Sequence, residues 1–354
     1  MAMDDDPVAR SSVTTAVEEG IVPWERFVLT GSQHLVLPAL YTAFKRNGLL
    51  PLLPVDLTEH LKNIYNLNLQ RNRKIMRQSE DITRLLNSRG IEPLFLKGVG
   101  HISQGLYHDQ GDRVMTDIDI MVPEPDTAIA ASLLSDNGYR QDPEDREEDF
   151  EGHHHLPGFY HPDRIAFVEL HCTPLPAKYK RLMTIEDIIA GKQKAGIDGA
   201  WVMSPRHQMI LNFIHDQIHD REYRFRSMIM KGMYDFYLMS GQCSVSEIQP
   251  ALKRYRKKLN AYCYYISVTF NNSKWPGHTN CRSARRFKWQ TGYLTDHPKM
   301  FSFYSALVYN YDRVIKIVRL FATAPFRKYS RYYIRKKIGT GEARRKYFRK
   351  LTGR

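Results

Sequence analysis

Apolar residues recur at helical spacing from about residue 22 to residue 90, interrupted at "RNGLLPLLPVD". The longest stretch is expected to start at Asp56, with Glu59 three residues on as a capping-box partner. It carries Leu61, Ile64, Tyr65, Ile75, Met76, Ile82, Leu85 and Leu86 on a drifting stripe and stops at Gly90. The period then changes. "IEPLFL" reads as a buried strand, "GVGHISQGLY" as a short helix and "TDIDIMV" as a second strand. "DTAIAASLLSDNG" reads as a helix closed by Gly138, and "GFYH" and "RIAFVELHC" as two further strands. Strand, helix, strand, helix, strands predicts one α/β unit, a small mixed sheet of about 85 residues. Beyond Pro174 the pattern is helical again. Ser204 and Pro205 form an N-cap and first-turn pair ahead of Met209, Ile210, Phe213, Ile214 and Ile218, and "MIMKGMYDFYLM" forms another helix. Residues 240–300 are less periodic.

The expected organisation is therefore a disordered 1–20, a helical region over 21–90, an α/β core over 91–175, a helical region over 176–300 and a tail over 301–354. Charge sets the tail apart. The net charge is +14, yet residues 313–354 hold 15 Lys/Arg against the single acid Glu342, leaving 37 basic and 37 acidic residues in 1–312. The body is neutral, which argues against nucleic-acid binding over the whole surface. In the tail, Arg313, Lys316 and Arg319 alternate with Val314, Ile315, Ile317, Val318 and Phe321, a pattern suited to an anionic membrane surface, to RNA phosphates or to a solvated helix. Cys172, Cys243, Cys263 and Cys281 have no regular spacing and read as free thiols. With an acidic, polar start, "MAMDDDPVARSS", and no apolar run of about 18 residues, the expected address is the cytoplasm, peripheral to the inner membrane if the tail binds lipid.

Asp117 and Asp119 sit one residue apart within the second strand, so they share one face while Ile118, Ile120 and Val122 fill the other. Like charges this close resist ionisation together, and a hard divalent cation between them removes the conflict. The alternative is an edge strand whose carboxylates face water. A third acid, Glu169, stands mid-strand in "FVELHC", where an unpaired carboxylate is costly. If that strand lies beside the first, three acids converge and can hold two metals for a phosphoryl-type displacement. The turn from "PLFL" through "KG" into a helix, with Lys97 as a point charge, is a place that attracts phosphate.

The order strand, "KG", helix, "R…DIDIMV", helix, "GYR", "VELH" resembles the nucleotidyltransferase superfamily typified by DNA polymerase beta. It is most similar to a branch of uncharacterised bacterial members in which "LKG" replaces the usual Gly-Ser pair and which occurs among polysaccharide and peptide-product gene sets. The resemblance spans roughly residues 25 to 240 and is densest at Leu96–Gly98, Arg113–Val122 and Glu169–His171. It implies metal binding, by Mg²⁺ or Mn²⁺, at Asp117, Asp119 and Glu169, with Lys97 and Gly98 holding the triphosphate and Arg113 contacting a phosphate or bracing the metal strand. One metal would be held by all three acids and the other by Asp117 and Asp119. The implied reaction moves a nucleoside monophosphate from an NTP (ATP among the candidates) to an acceptor hydroxyl and releases pyrophosphate. The acceptor class, whether small molecule, glycan precursor, protein or RNA, stays open. So does a role in making surface products.

The histidines of "HHH" at 153–155, with His161 and His171, lack structural-zinc spacing and read as a surface loop; His154 and His171 are candidates to support the metal-binding carboxylates or to contact substrate, since both should lie near Glu169. His215 and His219 are spaced i, i+4 without the glutamate of a metalloprotease motif. The resemblance places His215, Arg226 and Asp235 in a helical region near the nucleotide. Two other function classes compete. A DxD glycosyltransferase would use a nucleotide-sugar but needs a larger Rossmann-like half before the motif than these helices provide. A non-catalytic nucleotide-binding regulator would be favoured by loss of a carboxylate, and none is lost.

Overall fold

A computed structural model describes residues 7–141, 155–271, 281–323 and 341. The first of these form a helix, α1 (Pro7–Glu18), where the sequence predicts no ordered structure; Val13 and Val17, one helical turn apart, pack against the core. Helices α2 (Trp24–Gln33) and α3 (Leu37–Arg46) lead to α4 (Val55–Asn87). The α4 helix has 33 residues and is about 50 Å long. Its N-cap is Pro54 and no side-chain cap bond forms, so the capping box expected at Asp56 is absent. The helix starts one residue earlier, and Asp56 lies inside its first turn, where the helix dipole favours a carboxylate.

The drift of the α4 stripe has a structural cause: the helix serves two cores. Leu57 and Leu61 belong to one, and Ile75, Met76, Ile82 and Leu86 to the other. Between them the buried face turns polar and holds the loop that enters the strand bearing Asp117 and Asp119. Asn68 Nδ2 donates to the carbonyls of Gly111 and Arg113 (2.8 and 3.1 Å), Asn72 Nδ2 to those of Gln110 and Arg113 (2.5 and 2.8 Å), and Arg71 Nε to that of Met115 (3.1 Å).

Next come β1 (Leu94–Phe95), α5 (Lys97–Ser103), β2 (Asp117–Met121), α6 (Glu124–Asp136), β3 (Arg140–Gln141), β4 (Phe159–Tyr160) and β5 (Phe167–His171). Helix α7 (Ile185–Ala190), strands β6 (Gln193–Lys194) and β7 (Trp201–Val202), and helix α8 (Pro205–Asn212) follow. The strands form a mixed seven-stranded sheet in the order β3-β4-β5-β2-β1-β7-β6. In it β2 is antiparallel to β1 and parallel to β5, and β7 is parallel to β1. The β6–β7 hairpin has no counterpart in the sequence reading, because Gln193 and Lys194 of β6 are polar and exposed and carry no apolar signal. Alternation along β2 sorts its side chains: Ile118 and Ile120 join the core with α4 and α6, while Met121 joins the core with α3 and α8. The fold class is α/β with flanking helices, as expected.

Ser204 caps α8, its hydroxyl accepting from the His207 N–H, as the sequence predicts. At Phe213 the helix widens into a π-turn running to His219. Helices α9 (Glu222–Phe225), α10 (Met230–Met239), α11 (Val245–Ile248), α12 (Arg256–Thr269), α13 (Arg282–Asp296) and α14 (Pro298–Thr323) follow among the described residues. All four cysteines are free thiols.

The described residues divide into two compact units, with boundaries inside and just after α9 and inside α13. The first takes in residues up to Tyr223 and Ser227–Trp289, and so contains the sheet and both cores. The second takes in Arg224–Arg226 and residues from Gln290 on. Within it, Arg224 pairs with Asp312 at 2.6 Å and its carbonyl accepts from the Tyr304 hydroxyl at 2.8 Å. Most of the basic segment expected to meet a membrane or nucleic acid, residues 324–340 and 342–354, lies outside the described residues. No described helix is long and apolar enough to cross a membrane.

Candidate active site

The site begins where β1 turns into α5. Lys97 makes that turn with φ +45°, a left-handed conformation that costs a side-chain-bearing residue free energy. Two glycines let the turn pack. A Cβ on Gly98 would lie 2.6 Å from Arg113 Nη1 and 3.0 Å from Met115 Sδ, and one on Gly100 would lie 2.9 Å from the Phe95 carbonyl oxygen. The strained turn sends the Lys97 ammonium to Asp119, with Nζ 2.9 Å from Oδ1.

Parallel pairing of β2 with β5 sets Asp119 opposite Glu169 and Met121 opposite His171. Asp119 is 2% exposed, and Asp117 and Glu169 are half-buried. His171, also buried, has Nε2 2.9 Å from Asp119 Oδ1 and 3.4 Å from Glu169 Oε2. One ligating atom from each of Asp119, Glu169 and His171 falls within 4.8 Å of the others, and Asp117 is not part of that group.

Charge is strongly organised here. Burial and then the Asp119 carboxylate push the Asp117 carboxyl up, against the pull of Lys97. Burial acts the same way on Asp119, but Lys97 and His171 outweigh it and hold that carboxyl well below its ordinary range. Glu169 is lowered, chiefly by its hydrogen bond from His171. Burial works against the charged forms of His171 and Lys97, yet both are raised by the neighbouring carboxylates. The donor set fits a hard divalent cation: carboxylate oxygens converge from two paired strands, and their charge already attracts two cationic side chains.

Arg113 does not point freely at the sheet. Its guanidinium forms a two-pronged pair with the buried Asp235, with Nε 2.9 Å from Oδ1 and Nη2 2.8 Å from Oδ2. Asp235 also accepts from the Tyr107 hydroxyl, and His101 Nδ1 lies 3.4 Å away. Burial alone would raise the Asp235 carboxyl, but Arg113 and His101 hold it well below the usual range. The pair ties α10 to the loop that leads into β2.

A cavity of about 280 Å³ opens beside these groups, lined by Lys97, Arg113 and Asp235 together with residues of the π-turn and the start of α10. His215 also lines it, with Nδ1 2.9 Å from Asp216 Oδ1 and 3.3 Å from Asp220 Oδ2. Gly232 admits Asp216 to the end of α10, since a Cβ there would meet Asp216 Oδ2 at 2.2 Å. Glu222 also lines the cavity, its carboxyl pushed up to about 9 by burial and then by Asp216.

Of the residues expected from sequence, Lys97, Gly98, Asp117, Asp119, Glu169 and His171 meet around β2, and Arg113, Asp235 and His215 line or flank the cavity. Arg226 belongs to the second unit, where it donates to Gln290 Oε1 at 3.2 Å, and His154 lies outside the described residues. Asp216, Asp220 and Lys231 were not foreseen. The doubled "HD" of "HDQIHD" is the signal that could have found the two aspartates, since it repeats at helical spacing.

Residues 22–263 match a family described as uncharacterised nucleotidyltransferase. No curated protein and no solved structure is detectably similar to the chain.

Proposed function

The chain belongs to this nucleotidyltransferase family, and from that premise we propose a divalent-cation-dependent enzyme that moves a nucleoside monophosphate from an NTP to an acceptor hydroxyl. The observation that carries the reading is the register of Asp119 against Glu169, two carboxylates on one sheet face beside Lys97 and the cavity. In the proposed reaction the acceptor oxygen forms a bond to the α-phosphorus, the bond from that phosphorus to the bridging oxygen breaks, and pyrophosphate leaves with the electron pair. Asp117, Asp119 and Glu169 would hold Mg²⁺ or Mn²⁺, which supplies neutralisation of the phosphate charge and acidifies the acceptor hydroxyl.

The protein's own groups act chiefly by position and charge. His171 donates to Asp119 and fixes the orientation of that carboxylate. Lys97 balances the negative charge of the acids and is within reach of a phosphate oxygen that approaches them. Arg113, anchored by Asp235, adds positive potential on the cavity wall without leaving its partner. Phosphoryl-transfer catalysis depends mostly on such arrangement.

The test is incubation of the full chain with Mg²⁺ or Mn²⁺, α-labelled NTPs and cell extract as the source of acceptors, beside Asp117→Asn, Asp119→Asn and Glu169→Gln. Label on a product with the wild type, reduced by about a hundredfold or more in each variant, supports the reading and identifies the acceptor as small molecule, glycan precursor, protein or RNA. Transfer of sugar from a nucleotide-sugar, or nucleotidyl transfer indifferent to all three substitutions, would overturn it.

A further inference from the structure

Three cationic side chains line the cavity: Lys97, Arg113 and Lys231. Two are already matched to a carboxylate, Lys97 to Asp119 at 2.9 Å and Arg113 to Asp235 at 2.8 Å. Lys231, the second residue of α10, is not. Its backbone N–H donates to the His34 carbonyl at 3.2 Å, while its Nζ has no hydrogen-bond or ion-pair partner among the described residues. The side chain is only partly exposed. Burial, and then Arg113, work against its charge, and Asp235, Asp216 and Asp117 support it from a distance. A half-buried ammonium without a hydrogen-bonded counterion is a costly arrangement, and an anion arriving in the cavity relieves it.

We infer that Lys231 is a binding residue for the polyphosphate chain of the substrate, an inference that rests on the nucleotidyltransferase reading above. The distribution of partners carries it. Lys97 can reach phosphate only by sharing itself with Asp119, and Arg113 only by sharing itself with Asp235, whereas Lys231 gives up no protein partner. The flexible ammonium suits this role, since lysine binds phosphate as a movable point charge with three donors. Gly232, the next residue on the helix, has no side chain, which leaves the Asp216 carboxylate room beside α10, and it lines the cavity together with Lys231.

The experiment is calorimetric titration of the full chain, in buffer with Mg²⁺, with inorganic tripolyphosphate and with each NTP. Lys231→Gln is compared with Lys231→Arg and with Lys192→Gln, a control at the sheet edge where Lys192 pairs with Glu92. Lys231→Gln is expected to weaken both ligands by about tenfold, with Lys231→Arg and Lys192→Gln close to wild type. A second measurement needs no variant: amine acetylation of Lys231 in the wild type should slow when tripolyphosphate is present, and that of Lys192 should not. Equal affinity of wild type and Lys231→Gln, or acetylation of Lys231 indifferent to tripolyphosphate, overturns the inference and leaves the nucleotidyltransferase reading standing. A wild type that binds neither tripolyphosphate nor any NTP brings down that reading itself.

Discussion

Replacing Lys97 by glycine and by alanine separates two effects that the turn combines. Both substitutions delete the ammonium 2.9 Å from Asp119, a carboxylate only 2% exposed. Removing one partner of a buried pair costs about 3–5 kcal/mol, and the value here falls near about 3 kcal/mol because His171 still donates to the same oxygen. The two variants differ in the backbone. At φ +45° alanine keeps a left-handed strain of about 1–2 kcal/mol, and glycine sheds it. Against this, glycine loses about 0.5–1 kcal/mol more chain entropy on folding. Lys97→Gly should therefore be more stable than Lys97→Ala by about 1 kcal/mol, with both below wild type. Urea unfolding followed by tryptophan fluorescence is the assay, since Trp24 and Trp201 both pack against the core of the first unit. An alanine variant as stable as the glycine one, or more so, would refute the claim that the turn at Lys97 is strained.

Asp112 is buried, and burial pushes its carboxyl up to about 6 in spite of the hydrogen bond from Thr42. The folded state then holds the proton more tightly than the unfolded chain, so stability should fall by about 3 kcal/mol as pH rises from about 4 to about 6. Asp112→Asn, which keeps an acceptor for Thr42, should remove that slope; parallel urea-midpoint profiles for variant and wild type between pH 4 and 7 would count against it. Asp235→Asn should cost about 3–5 kcal/mol by stranding the Arg113 guanidinium. The double variant Arg113→Met with Asp235→Leu should be the more stable of the two by urea unfolding, and a double variant no better than the single would mean that the pair is not the source of the loss.

Much of the sheet was legible because its central strands alternate. The period of two in "DIDIM" placed Asp117 and Asp119 on one face, and the position of Glu169 within "FVELHC" made a convergence conditional on β5 lying beside β2. The pairing itself is not written in either segment. It depends on β1 and α4 occupying the remaining positions around β2. The β6–β7 hairpin escaped because Gln193 and Lys194 of β6 are polar and exposed, and the π-turn because it alters hydrogen-bond register while the apolar spacing of Phe213, Ile214 and Ile218 stays plausible for an ordinary helix. The fate of Arg113 was also out of reach. Its bidentate partner stands 122 residues away, and no local pattern ties the two together. Lys231 was missed for the reverse reason: what distinguishes it is the partner it lacks, and that is visible only once the neighbours of α10 are in place.

The bonds that build the site differ widely in the length of chain they enclose. Lys97 to Asp119 closes 22 residues, His171 to Asp119 closes 52, and Arg113 to Asp235 closes 122. On a chain emerging from the ribosome those contacts become available in the same order, because synthesis runs from the N-terminus at a finite pace. The most acidic position of the strand thus meets its lysine before its histidine, and its histidine before the helix that bears Asp235 has been made. Until that helix arrives the Arg113 guanidinium lacks its Asp235 partner, while its carbonyl can already accept from Asn68 and Asn72 of α4. A chain that folded as it was made would bring Lys97 and His171 to Asp119 before the helix that pairs with Arg113 exists.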